Sequence, residues 1–489
     1  MLKLYFPIVL ILWLGAVGYG QTPHLNADSL KADFKLFRDV LQRYHPGMYR
    51  YKHPYKVNAD FDKSEKDFIA SRDLKEAYLS LHRATSKIQC GHTYPNFWNQ
   101  ERSIREALFE QEDKLPFTLA LVQDKMYVHK DVSGNRLKSC TEILTINGVP
   151  VADIVENLKH HRRLDGNNMA KFYIDFSITG EGKYEAFDVI FPMLYPPVNG
   201  KYQLTVSYLE RDTIPIEVTA VSREKRKTLL NLVGDDKAKL WKKYFAEDSI
   251  ATLKLGTFAV WNMKLDWKAY LENFFKETQE KNSKYLLLDL RGNEGGLMEV
   301  YWELFKYLTA EPLRLKRDSQ GTVYEMVRNE FKPYLETYDP TFFDLTGKVT
   351  KKDYDFYEFN DVGLKYLEVK PSQYAFDGEI FILIDSANSS ATYYLAKFLK
   401  QNQLAKLIGA PTGGNMMGTN GGQFFLLKLP YTKLEVDVPL IAYHPHEDAE
   451  DGGLEPDILV ERNFHYYFSQ WVMENDPDRT ALLEAIYQD

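Results

Sequence analysis

The stretch from Phe381 to Gly414 limits the fold more than any other part of the chain. Four apolar residues, Phe381, Ile382, Leu383 and Ile384, read as a buried strand. Small polar residues follow from Asp385 to Ser390, and from Ala391 the apolar positions recur at helical spacing as Tyr394, Leu395, Phe398 and Leu399. A serine pair, Ser389 and Ser390, therefore stands where a buried strand ends and a helix begins. Amides at a helix start lack intrahelical acceptors and carry partial positive charge. A hydroxyl there can attack a carbonyl while neighbouring amides hold the developing oxyanion. Serine is also an ordinary N-cap, so this stretch alone leaves both readings open.

The surrounding sequence fits a strand of that kind. From about Lys237 strands and helices alternate: Ile250 to Phe258, a helix from Trp267 to Glu277, the apolar strand Tyr285 to Leu290, and a helix from Met298 to Leu308. Between the last two lies a glycine-rich turn, Arg291 to Gly296, whose free amides converge on one place. It carries neither the phosphate-loop pattern nor the dinucleotide-binding spacing. Asp289 and Arg291 are expected to brace this turn. Glu311 to Leu367 reads as a less regular lid or insertion. Gln423 to Leu429 and Lys433 to Val438 read as a hairpin.

Upstream, Leu25 to about Arg105 is helical, with Asp28 the expected N-cap of a face formed by Leu30, Phe34, Phe37, Val40 and Leu41. A second helix, Leu74 to Ile88, leads into Gly91-His92-Thr93-Tyr94-Pro95. A histidine on such an irregular segment can reach into a groove as a general base, or serve as a capping or hydrogen-bonded structural group. His45 and His82 read as structural. Leu115 to about Arg223 is β-rich, with an Asn147-Gly148 turn before a short helix from Val151. The run His160 to Arg163 reads as a solvated helix end.

The net charge of −8 and the absence of any Lys/Arg block give no basic face for a nucleic acid. Met1 to Gly20 has a short positive start at Lys3 and an apolar run from Leu4 to Val17, the pattern of an export signal rather than a spanning helix. That signal implies export, to the periplasm or outside the cell, and no membrane span is expected in the mature chain. The only cysteines, Cys90 and Cys140, do not make a disulfide framework, although export would permit a bridge between them.

Three separated features occur in order: Leu288 to Gly296 (LDLRGNEGG), the strand–Ser390–helix unit, and Gly453 to Ile458 (GLEPDI). Together they resemble the C-terminal processing, or tail-specific, serine peptidases, and Thr141 to Val151 (TEILTINGVPV) looks like part of that family's PDZ-like domain. The resemblance implies an α/β fold with a crotonase-like β-spiral core. It divides the chain into a signal (1–20), an N-terminal helical domain with the histidine (21–113), a PDZ-like β domain (114–225) and the catalytic core (226–489). One branch of the family pairs serine with a lysine some two dozen residues later; here Asn415 holds that position, and Lys397 and Lys406 read as solvent-facing. The chain is more similar to the tricorn-like, retinoid-binding-protein-like branch.

By that resemblance Ser390 is the nucleophile, His92 the base and Glu450 the orienting acid. The amides of Ala391 and of Gly295 or Gly296 would form the oxyanion hole. Glu455 and Asp451 are alternatives for the acid, and Ser389 is a lesser alternative to Ser390. Some relatives carry a serine before the histidine, where this chain has Gly91. The implied activity is hydrolysis of a polypeptide, captured in part through its C-terminus and lying as an added strand, with no cofactor. The alternative is a catalytically silent peptide-binding protein on the same fold. A third reading, a metal site at His444, His446, Glu447, Asp448 and Glu450, lacks the HExxH pattern, and a solvated acidic loop is the simpler expectation.

Overall fold

The computed structural model describes residues 25–180, 184–231, 237–246, 249–353, 356–361 and 365–487. The expected signal, Met1 to Gly20, lies outside the described residues. Strand Glu379–Ile384 runs through the middle of a six-stranded sheet, between Tyr285–Asp289 and Lys406–Gly409. Ile250–Leu255 and then Trp241–Phe245 continue the sheet on one side, and Ile458–Leu459 closes the other. All neighbours are parallel except Trp241–Phe245.

The strand sequences explain this layering. Residues alternate between faces along a strand, and here both faces are buried, as the unbroken apolar runs demand. Leu286, Leu288, Ile382 and Ile384 pack on one face with helices Met298–Leu308 and Ser390–Gln401. Leu287, Phe381 and Leu383 pack on the other with Leu482 of the helix Pro477–Tyr487. Each such side chain contributes about 1.5–3 kcal/mol on burial. The pairing of Leu383 with Asp289 brings the C-terminal ends of both strands together. The glycine turn and the serine turn therefore leave the sheet side by side, at the edge where sites form in parallel sheets.

Two antiparallel sheets flank this layer. One runs from Phe117–Val122 to Ile214–Thr219 and holds the Asn147-Gly148 turn and the helix Val151–Lys159. The other is built on Thr419–Lys428 and Glu435–His444. Its remaining strands, Ser319–Thr322, Leu335–Glu336, Val349–Asp353 and Phe356–Phe359, come from the segment expected to be a less regular lid or insertion, so much of that segment is sheet. The N-terminal helices pack onto this sheet through Phe34, Phe37, Phe425 and Val438, in one continuous core. The buried Asp33 also accepts from the Thr432 amide (2.7 Å) and the Tyr431 amide (3.1 Å).

Several local expectations are corrected. Asn26, not Asp28, caps the first helix, its Oδ1 accepting from the Ser29 amide at 2.8 Å. Lys397 is buried and paired with Asp318 at 2.8 Å; Lys406 is exposed as expected. His161, within the run read as solvated, is buried, and Arg163 lines a cavity. Cys90 and Cys140 are both buried and both free. Among the described residues no helix is long and apolar enough to cross a membrane.

Candidate active site

Ser390 opens the helix Ser390–Gln401 with φ +53°. Left-handed backbone costs a residue with a Cβ about 1–2 kcal/mol, and such strain collects at functional turns. A sharp strand-to-helix turn that carries a serine is a recurring way to present a nucleophile. Neither serine caps the helix. Ser389 holds the cap position, but its hydroxyl donates to the carbonyls of Ala387 and Glu294, both at 3.2 Å, and makes no capping bond.

The two turns are stitched together by side chains. Asp385 accepts from the Gly292 amide at 3.0 Å. Asn388, fully buried, donates to the carbonyls of Leu290 (2.6 Å) and Asn293 (3.1 Å) and accepts from the Asp385 amide (2.8 Å). Asn293, also buried, accepts from Thr392 Oγ1 and from the Gly295 amide, both at 2.8 Å. The Gly295 amide is thus occupied, which corrects its expected place as an oxyanion donor. The Ala391 and Gly296 amides have no acceptor among the described residues. Gly295 contributes by lacking a side chain: a Cβ there would lie 2.9 Å from Ser390 Cβ and 3.0 Å from the Ala391 nitrogen.

His92 arrives from the helical region on a segment pinned by neighbours. His45 Nε2 meets Thr93 Oγ1 at 2.7 Å, and Tyr78 donates to the Pro95 carbonyl at 2.8 Å. The His92 ring lies near Phe424, and its buried Nδ1 has no hydrogen-bond partner among the described residues. His92 and Ser389 line one cavity of about 240 Å³, together with Tyr94, Asn96, Arg163, Asp165, Lys171, Glu294, Phe424 and Asp437. Burial pushes the His92 imidazole below its ordinary pKa; Asp165 opposes that shift, and Arg163 and Lys171 reinforce it.

The acid beside His92 was not legible in the sequence. Asp165 is buried, lines the same cavity and accepts from the Gly91 amide at 2.9 Å. A Cβ at Gly91 would stand 3.3 Å from Asp165 Oδ2, so glycine before the histidine leaves room for this carboxylate. Glu450, the expected acid, is exposed and hydrogen-bonds to none of the described residues. Glu455 is exposed as well, and its carbonyl accepts from Lys400. Asp451 accepts from Asn415 Nδ2 (2.7 Å), from the Asn167 amide (3.0 Å) and from Asn167 Nδ2 (2.7 Å). Asn415 also donates to the Asp165 carbonyl at 2.9 Å. The late carboxylate loop therefore holds the segment that carries Asp165.

Opposite Asp165, Arg163 and Lys171 pair with Glu294 at 3.0 and 3.3 Å and with Asp175 at 3.3 and 3.0 Å. The Glu294 side chain is half-exposed; the desolvation it suffers in the cavity disfavours its charge, but Lys171 and Arg163 outweigh that and hold the group ionised below the usual carboxylate range. At the expected metal loop, His446 Nε2 meets the Arg317 carbonyl at 2.7 Å and His444 packs on Phe356. Among the described residues no group of His, Cys, Asp and Glu is placed to hold a metal ion.

Residues 249–460 match the model of peptidase family S41. The stretch spans five of the six strands of the central sheet, all but Trp241–Phe245, with both stitched turns and the late carboxylate loop. No curated protein matches the chain. Among solved structures the chain is similar to mature CPAF complexed with lactacystin, at 13% identity over 95% of this chain and 99% of that one, with a TM-score of 0.63. It is similar also to mature CPAF, at 13% identity over 95% and 98%, with a TM-score of 0.62. At that identity the likeness is one of fold.

Proposed function

The chain carries a peptidase family S41 domain over residues 249–460, and from that premise we propose that it is a serine endopeptidase with Ser390 as nucleophile and His92 as base. The observation that carries this reading is Ser390, strained at a helix start beside two unengaged amides. His92 takes the Ser390 proton as the hydroxyl attacks the peptide carbonyl. The Ala391 and Gly296 amides receive the oxyanion, each worth about 3 kcal/mol in the transition state. His92 then returns the proton to the leaving amine, and water completes the cycle by the same path.

Asp165, rather than Glu450, is the carboxylate we assign to His92. Buried beside the imidazole, it favours the imidazolium formed during attack. Asn415, at the position where other relatives carry a lysine, is fully buried and spent on hydrogen bonds, which speaks against a Ser–Lys pair. Residues 226–489 constitute the catalytic core, of the crotonase-like spiral type, and residues 21–113 deliver the base. Residues 114–225 act as a PDZ-like domain that captures a substrate C-terminus. The apolar start of the chain directs export to the periplasm or beyond.

The test is labelling by a serine-directed fluorophosphonate followed by peptide mapping. Modification at Ser390 in wild type, absent in Ser390→Ala, supports the reading. A folded protein that takes no label and cleaves no peptide favours the silent peptide-binding alternative.

A further inference from the structure

We propose that Asp437 sets the specificity of the cavity beside His92, and that it receives a cationic substrate side chain, lysine or arginine. The proposal rests on the serine-peptidase reading and names its substrate class.

The cations that line the cavity are already matched, since Arg163 and Lys171 share Glu294 and Asp175 in a closed quartet. Asp437 differs. It lies on the strand Glu435–His444, is 7% exposed, and lines the cavity. Its oxygens accept from Asn96 Nδ2 at 2.6 Å and Asn99 Nδ2 at 2.9 Å. Among the described residues no Lys, Arg or His forms an ion pair with it. Two neutral amides fix the carboxylate in place without neutralising it. Burial accordingly pushes its pKa up to about 6. A buried carboxylate of this kind gains most from a cation brought by a ligand.

The rest of the cavity suits such a side chain. Phe424 offers aromatic surface for the methylene stem, whereas the Tyr94 ring already carries the Arg163 guanidinium at 5.1 Å. A volume of about 240 Å³ admits one long side chain. An acidic side chain would meet Asp437 and Asp165 together, and a neutral one would leave Asp437 unpaired. His92 lines this space, and so does Ser389, the residue before the proposed nucleophile, so the side chain held here belongs to a residue near the bond to be cut.

The test titrates benzamidine, and uncharged benzamide as its control, into wild type and Asp437→Asn by NMR. Asn99 can rotate its amide to suit the new side chain, whereas Asn96 Oδ1 is committed to the Trp98 amide. Benzamidine should bind wild type at least about tenfold tighter than the variant, with benzamide indifferent to the change. Within wild type its affinity should fall as the pH drops through 6, a readout that stands even if the variant does not fold. In parallel, a peptide library cleaved by wild type should show lysine or arginine beside the cut. The kcat/KM ratio of a lysine substrate over its norleucine counterpart should drop by roughly 10²-fold in Asp437→Asn. Equal binding of benzamidine and benzamide, or cleavage without basic enrichment, overturns this assignment and leaves the peptidase intact. Loss of all Ser390-dependent cleavage overturns the peptidase, and benzamidine binding still decides Asp437.

Discussion

Ser390 and Ser389 share a turn but not a chemical situation. Ser389 donates to two carbonyls, whereas Ser390 Oγ has no bond to a described residue and sits on strained backbone. Casein hydrolysis by Ser390→Ala should therefore fall by about 10⁴-fold or more, and Ser389→Ala should retain most of it. His92 supplies a second prediction. Burial lowers its pKa, and the base acts only when neutral, so the acidic limb of kcat/KM against pH should lie below 6.5. Asp165→Asn removes a negative charge that favours the imidazolium, so it should move that limb lower still and reduce kcat. An unmoved limb would remove Asp165 from the site. The strand–serine–helix pattern and the Gly91-His92-Thr93 segment were readable because they are local. Asp165 was not, because 73 residues separate it from His92 and only tertiary packing makes them neighbours. Arg163 was misread for the same reason, since a basic run carries no mark of the carboxylates it will meet.

The glycine turn and the serine turn work as one unit. Apolar strands, glycines and helical spacing announced each turn separately. The stitching by Asp385, Asn388, Asn293 and Thr392 was silent, since Asn and Asp are common in any turn. This stitching leads to a prediction for Gly295→Ala. The added Cβ would meet the Ser389 carbonyl at 2.8 Å and Ser390 Cβ at 2.9 Å, on backbone at φ +102°. It should displace Ser390 from its amides and lower kcat by about 10²-fold with little change in KM. Stopped-flow or steady-state assays on an ester substrate check this, and a pure KM effect would contradict it. The segment 311–367 shows the opposite failure. Its aromatic residues do not alternate cleanly, so strands that pair with distant partners read as a less regular lid or insertion.

Across the molecule, the proposed chemistry draws on parts far apart in the chain. His92 comes from the helical region, Asp165 from the segment after the helix Val151–Lys159, and Ser390 from the turn at the end of the central strand Glu379–Ile384. The helix Pro477–Tyr487 adds a further tie. Its fully buried Asp478 binds Arg291 at 2.9 Å and Arg462 at 2.9 Å, behind the glycine turn. Asp478→Ala leaves Arg462 without its carboxylate, while Arg291 keeps Asp289 and Asp476, and should cost about 3 kcal/mol of stability, seen as a lower Tm. Asp437 works the other way. Its folded pKa of about 6 lies above the unfolded value near 3.8, so its charge opposes folding above pH 6 and the penalty is relieved as pH falls toward 4. Asp437→Asn should thus gain up to about 3 kcal/mol over wild type at pH 7.5 and nothing at pH 4. The most direct test of the whole is casein hydrolysis by wild type, Ser390→Ala, His92→Ala, Asp165→Asn and Glu450→Ala, each checked for folding by circular dichroism. Wild type should be active, the Ser390 and His92 variants inactive, Asp165→Asn strongly impaired and Glu450→Ala close to wild type. Full activity in a folded Ser390→Ala, or an inactive wild type, would contradict the assignment of this turn as the centre of a serine peptidase.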